Sequence, residues 1–149
     1  MKISIVVPFF SEAKCIDEFF KRLLGVLSTT QELSNYEIIA VNDGSKDDTI
    51  GKLALIASSN RKIKVIDLSR NFGHQIAISA GINFSSGDYT VILDGDLQDP
   101  PEVIPQMLKK VQDGFDVIYA VRRNRKESLF KRACYFIFYR LLRDIANTD

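Results

Sequence analysis

Residues 91–102 read VILDGDLQDPPE. An apolar run feeds straight into Asp94, Asp96 and Asp99, with Gln98 among them and two prolines behind. Carboxylates repel one another, and removing them from water is costly unless something positive pairs with them. Asp94 and Asp96 stand at i and i+2. On a strand they share a face, and in a loop just past a strand both can turn toward one ion. Gly95 between them lets the backbone come close to a ligand. Hard divalent cations take oxygen ligands, and Mg²⁺ or Mn²⁺ is usually held by one or two carboxylates together with substrate phosphates. A cation carrying a diphosphate therefore accounts for acids placed at the end of an apolar run. Other readings of these residues stay open at this point. A D-x-D pair is common in loops that bind nothing, and Asp99 is a candidate N-cap for a helix starting at Pro100. A calcium EF-hand loop also begins D-x-D, but its sixth and twelfth positions would here be Asp99 and Pro105 instead of Gly and Glu, which excludes it.

Few other chemistries are served. Neither the phosphate-binding GxxxxGK[ST] loop nor the dinucleotide GxGxxG fingerprint occurs. The single histidine, His74, follows RNFG near a helix start and reads as structural or capping rather than as part of a Ser-His-Asp set. Asp43, in NDGS, is either a turn residue or a ligand contact. Cys15 and Cys134 form no CxxC pair and read as reduced thiols in helix-like segments.

These residues need elements to position them. Residues 3–7 form a continuous apolar run, as in a strand covered on both faces. Ile16, Phe19, Phe20, Leu23, Leu24 and Leu27 then recur at helical spacing. A second strand covers 36–41 and ends in NDGS, where Ser45 is the expected N-cap of the following helix. A third strand is read at 63–68 and a helix at 75–84, with Gly81 weakening it. A fourth strand at 89–93 leads into the acids, and Pro100 and Pro101 open a helix carrying Val103, Ile104, Met107, Leu108 and Val111. A fifth strand is expected at 115–120. Alternating strands and helices imply βαβ units and an α/β fold with a mainly parallel sheet. In such sheets ligands sit beyond the carboxyl ends of the strands. PFFSE, NDGS and DGDLQD occupy three such ends and are expected to converge on one crevice.

The chain has 149 residues, 46% apolar and 26% charged, with a net charge of +1. That suits one globular domain with its own core, here residues 1–149, and calls for no nucleic acid. Charge is unevenly placed. Residues 88–116 hold seven acids and two lysines, whereas 122–143 hold eight basic residues and one acid. The second block points to phosphates or an anionic surface. Within it, residues 128–143 set Leu129, Phe130, Ala133, Phe136, Ile137 and Leu141 on one helical face and Arg132, Tyr135, Tyr139 and Arg143 on another. That pattern fits a helix lying in a bilayer interface, or one covering the sheet. The start is unlike a signal peptide, because Pro8 closes the short apolar run after Lys2. No apolar run reaches the length of about 18 residues that spans a bilayer. The final residues, RDIANTD, bring no closing strand, and the chain reads as the N-terminal part of a longer protein.

Taken in order, ISIVVPFFSE, YEIIAVNDGSKDDT, LSRNFGHQIAISAGI, GDYTVILDGDLQDPPEVIPQML and GFDVIYAVRRNRKESLFKR resemble the inverting family 2 glycosyltransferases with a GT-A fold, over essentially the whole chain. DGDLQDPPE, SRNFG and RRNRKESLFKR are most similar to the polyprenyl-phosphate sugar transferases, such as dolichol-phosphate mannose synthases and bactoprenol glucosyltransferases. The resemblance implies a nucleotide diphosphate sugar as donor, with UDP-glucose expected, a polyprenyl phosphate as acceptor, and Mg²⁺ or Mn²⁺ as cofactor. It implies that Pro8, Glu12 and Asp43 line the nucleotide, that Asp94 lies near the donor ribose and diphosphate, and that Asp96 ligates the metal with Gln98 close by. Ser11 departs from relatives that carry Asn before the Glu. Arg122 or Arg123, with Arg132, would hold acceptor or donor phosphate. The resemblance also implies action at the cytoplasmic face of the membrane, membrane helices beyond residue 149, and assembly into homo-oligomers. Two alternatives remain: a transferase with a soluble or polysaccharide acceptor, and a nucleotide-binding module without turnover.

Overall fold

The computed structural model of the chain describes residues 1–121. Residues 1–118 form one compact unit, and residue 119 begins a second. Four strands, β1 (Ile3–Phe9), β2 (Tyr36–Asn42), β3 (Ile63–Asp67) and β4 (Tyr89–Ile92), make one parallel sheet in the order β3-β2-β1-β4. Four α-helices connect and follow them: α1 (Ile16–Thr29), α2 (Thr49–Ser59), α3 (His74–Asn83) and α4 (Ile104–Gln112). Short 3₁₀ turns at Gln31–Leu33 and Pro101–Val103 complete the described elements.

The apolar runs become central strands for the expected reason. Every residue of β1 is buried, and alternate side chains serve opposite faces. Ile3, Ile5, Val7 and Phe9 join Ile38 and Ala40 in the larger core, together with the α1 stripe Ile16, Phe19, Phe20, Leu23 and Leu27. Phe9 meets Phe19 edge-on at 5.6 Å and stacks on Phe20 at 6.1 Å, so aromatic packing ties the end of β1 to α1. Val6, Ile39 and Val41 face the other way, against Ala77 of α3. Gly81, which weakens the helical signal of α3, is buried on the same helix.

β1 runs two residues past the expected 3–7, through Pro8 and Phe9. The ladder explains why proline fits inside a central strand. Odd-numbered residues bond toward β2, as with Ile3 N–H to Asn35 O and Asp43 N–H to Phe9 O. Even-numbered residues bond toward β4, as with Leu93 N–H to Val6 O at 3.1 Å. Pro8 is even-numbered and has no N–H for β4, so that ladder ends and the chain after Leu93 turns away. The proline thus helps to release the acidic segment from the sheet.

Several expectations need correction. Ser45 does not cap α2. The helix begins four residues later at Thr49, where Asp47 Oδ1 accepts the Thr49 N–H at 3.1 Å, and Ser45 Oγ instead accepts the Ser11 N–H at 2.9 Å. Pro100, not Asp99, stands at the N-cap position of the following turn, which is 3₁₀ and makes no side-chain cap bond there, and α4 begins only at Ile104. The third strand stops at Asp67, one residue short of the reading. The fifth strand, 115–120, does not form. Phe115, Val117 and Tyr119 are exposed there, and alternation without a paired neighbour does not make a strand. The interface-helix reading at 128–143 and Cys134 lie outside the described residues. Among the described residues no helix is long and apolar enough to cross a membrane.

Candidate active site

The carboxyl ends of the strands do converge. A cleft of about 230 Å³ is lined by Pro8, Phe9, Phe10 and Glu12 after and within β1, and by Asp43 after β2. The β4 side contributes Asp94, Gly95 and Asp96. Asn71 from the loop after β3 and His74 at the start of α3 add a fourth contribution, beyond the three clusters expected from sequence. The signal was available, since SRNFG follows a strand end as the other clusters do. Phe10, 45% exposed at the rim, was also missed. Nothing in its type or spacing marks it except its place just past β1, between Phe9 and Ser11.

Backbone latches hold the walls of this cleft. Ser11 N–H donates to Ser45 Oγ at 2.9 Å, Glu12 N–H to Thr49 Oγ1 at 3.0 Å, and Ala13 N–H to Asp47 Oδ2 at 3.2 Å. The loop after β1 is thereby strapped to NDGSKDDT, and Ser11 adopts a left-handed φ of 56° in doing so. Asp43, buried at 3% exposure, accepts the Phe72 N–H at 2.8 Å and the Gly73 N–H at 3.0 Å. One carboxylate thus collects two amides immediately before α3, where the helix dipole favours a negative charge. Asp43 thus lines the cleft and also organises the loop before α3, a loop distant in sequence from NDGS. Asp43→Ala is expected to cost about 1–2 kcal/mol in urea unfolding, the worth of charge-assisted bonds whose amides can partly turn to water.

Acidity concentrates on the β1–β4 side. Burial, then Asp96, Asp94 and Asp47 in that order, push the Glu12 carboxyl up to about 7. Glu12 Oε2 is buried without a hydrogen-bond partner among the described residues. Gly95 lies against it: a Cβ there would stand 2.8 Å from Oε2 and inside the Phe9 ring. Gly95 is thus required first by its protein neighbours, not only by an approaching ligand. His74 Nε2 lies 3.5 Å from Asp94 Oδ1, so the histidine read as structural borders the acids directly. Asp96 Oδ1 accepts the Gln98 N–H at 2.8 Å. Gln98 does not line the cleft wall as Asp94 and Asp96 do. Arg122, Arg123 and Arg132 lie outside the described residues.

The donor set is all oxygen on the acidic side, and an orphaned buried carboxylate oxygen beside two further acids is what a hard cation would relieve. Among the described residues no three acidic, His or Cys side chains close on a point tightly enough to hold an ion alone.

The family model of glycosyl transferase family 2 matches residues 4–144. The chain belongs to glycosyl transferase family 2. Its relatives include an uncharacterized glycosyltransferase, YkcC, of Bacillus subtilis (strain 168), 47% identical over 150 residues that cover 100% of this chain and 46% of the relative. A bactoprenol glucosyl transferase of Shigella phage SfV is 40% identical over 150 residues, 99% of this chain and 48% of that protein. The chain therefore spans about half the length of the curated relatives it matches. The solved mannosyltransferase PcManGT of Pyrobaculum calidifontis, in complex with GDP-Man and Mn²⁺, superposes with a TM-score of 0.55 at 20% identity, over 63% of this chain and 27% of that one. The parallel sheet flanked by helices is thus the GT-A fold of family 2 transferases.

Proposed function

We propose that this chain is the donor-binding part of an inverting transferase that moves a hexose from a nucleotide diphosphate sugar to a polyprenyl phosphate at the cytoplasmic face of a membrane. The observation that carries the reading is the cleft at the strand ends, where Asp94 and Asp96 join Glu12, whose buried Oε2 has no hydrogen-bond partner among the described residues. UDP-glucose is the proposed donor. The name of the phage relative supports both the sugar and the lipid acceptor.

In this reading Pro8, Glu12 and Asp43 border the nucleoside, and Asp94 lies by the ribose and diphosphate. Asp96 holds Mg²⁺ or Mn²⁺, with Gln98 following in the same turn. When bound, the divalent ion neutralises charge building on the departing nucleoside diphosphate. The acceptor phosphate oxygen forms a bond to the sugar's anomeric carbon while the bond from that carbon to the donor diphosphate breaks, with inversion. A phosphate monoester has its second pKa near ~6, so this nucleophile is largely anionic at neutral pH and needs no strong base. It does need cations to approach an anionic donor, the role proposed for Arg122, Arg123 and Arg132.

Titration calorimetry of UDP and of GDP, with and without Mn²⁺, tests the site. Binding of one nucleotide is expected to depend on Mn²⁺ in the native chain and to lose that dependence in Asp96→Asn. An Asp96→Asn chain that binds metal and nucleotide normally would overturn the assignment.

A further inference from the structure

The acidic segment is fixed at both ends. Leu93 is buried and donates its N–H to Val6 O. Pro101 and Ile104 are buried at the other end, and Arg22 grips Glu102 through a fork of 3.0 and 2.7 Å. Between these ends, Leu97 adopts a left-handed backbone with φ of 65°. That region is sparsely used by residues with a bulky side chain, and Gly, Asn or Asp would occupy it at lower cost. The leucine side chain instead packs on the main core. The position thus carries a residue poorly suited to its backbone and well suited to anchoring. Backbone strain of this kind persists where surrounding contacts over-determine it, and it gathers at functional sites.

The left-handed turn has a direct consequence for its neighbours. It reverses the chain between Asp96 and Gln98 so that the Gln98 N–H reaches back to Asp96 Oδ1 at 2.8 Å. One oxygen of that carboxylate is thereby fixed by the backbone, and Asp96 lines the cleft wall with Asp94. Leu97 is the one large apolar side chain between Asp94 and Asp99 and the one of these that packs on the main core, with Gly95 buried beside Phe9. The geometry points to Leu97 as a positioning residue: its half-buried side chain, packed on the core, holds the strained turn that aims Asp96 into the cleft. This inference rests on the cation–diphosphate reading of the cleft proposed above. A leucine that merely filled the core would need no left-handed backbone, and its loss would lower stability without disturbing the turn.

Three variants of the 149-residue chain separate these roles. Leu97→Gly and Leu97→Asn suit the left-handed backbone but lack the anchor, whereas Leu97→Met keeps an apolar anchor. The readouts are the amide shift and exchange rate of Gln98 by NMR in the ligand-free chain, the melting temperature, and UDP or GDP affinity with and without Mn²⁺. In Leu97→Gly and Leu97→Asn the Gln98 amide is expected to lose its bonded shift and exchange faster. Mn²⁺-dependent nucleotide binding should weaken by about 10–100-fold, the loss typical when a group that orients a metal ligand is removed, while metal-free binding stays unchanged. Leu97→Met should keep both properties near the native values. Should Leu97→Gly not fold, Leu97→Asn and Leu97→Met still give the contrast. A native-like Gln98 amide and unchanged Mn²⁺ dependence, with only a lower melting temperature, would overturn the inference. A native chain that binds neither nucleotide with Mn²⁺ would count against the cleft reading instead, and the Gln98 amide would still decide the role of Leu97.

Discussion

Glu37→Ala is expected to lower the unfolding free energy by about 3 kcal/mol at neutral pH, the scale of several hydrogen bonds to one buried charge. Glu37 is 4% exposed on β2, at the end of the sheet away from the cleft. Its Oε1 accepts from Ser4 Oγ, Ser86 N–H and Ser86 Oγ, each at 2.7 Å. Its Oε2 takes Lys64 Nζ at 2.8 Å, with Lys2 Nζ at 3.4 Å. This one carboxylate therefore binds β1, β2, β3 and the turn entering β4. Truncation leaves the O–H of fully buried Ser4 without its acceptor, although Ser4 Oγ still accepts the Ser86 and Gly87 N–H. Lys64, half exposed, can turn to water, and this is why the cost falls at the low end for a broken buried pair. Burial alone would push the Glu37 carboxyl up, but hydrogen bonds from Lys64, then Ser4 and Ser86, more than offset it and hold it well below the usual carboxylate range. The unfolded chain then binds a proton that the folded chain refuses. The contribution is complete above the unfolded value of about 4.3 and is lost as pH falls below it toward the folded value. Urea unfolding at pH 7 and pH 3 checks this. The native chain should lose more stability between those two values than Glu37→Gln does, and equal losses would contradict the account.

The sheet was legible because its residues obey one rule at a time. Apolar runs in β1 and β2 leave few alternatives to central strands, and the stripe from Ile16 to Leu27 falls on the buried face of α1 with only Leu24 less than fully covered. The convergence of strand ends followed from topology, so Glu12, Asp43, Asp94 and Asp96 were expected together before any distance was known. What was not legible depended on contacts between loops far apart in sequence. Ser45, a good cap by type, serves Ser11 across the cleft, and Asp47 takes over near Thr49. His74 meets Asp94 only because α3 begins beside β4's acidic end. The expected fifth strand failed on a different ground: alternation at 115–120 is a local property, whereas a strand requires a partner. Leu97 illustrates the opposite limit, since nothing in LQD announces a left-handed leucine. Local preference lost there to a tertiary anchor.

Gly44→Ala is expected to cost about 3 kcal/mol and to abolish nucleotide binding, through two effects that add: roughly 1–2 kcal/mol for a Cβ in the left-handed region and about 1–3 kcal/mol for overpacking. Gly44 has φ of 62° and follows the Asp43 carboxylate directly. A Cβ there would overlap the backbone of Arg70 and Asn71, closer than any real contact. Backbone cannot yield as a flexible side-chain tip can, so the whole RNFG segment must move. That segment carries Asn71 into the cleft, and its next two amides are the ones Asp43 holds at 2.8 and 3.0 Å. Displacing it breaks both bonds, shifts the start of α3, and carries His74 away from Asp94. The defect is therefore structural and functional at once, although Gly44 itself does not line the cleft. Gly44→Asn separates the two causes, because asparagine tolerates the left-handed backbone and still brings a Cβ. If close approach dominates, Gly44→Asn should unfold at nearly the same urea concentration as Gly44→Ala and bind no nucleotide. Recovery of stability and binding in Gly44→Asn would show that backbone conformation alone limits this position, and that the two loops can part by the roughly 1 Å that a Cβ needs to reach ordinary contact.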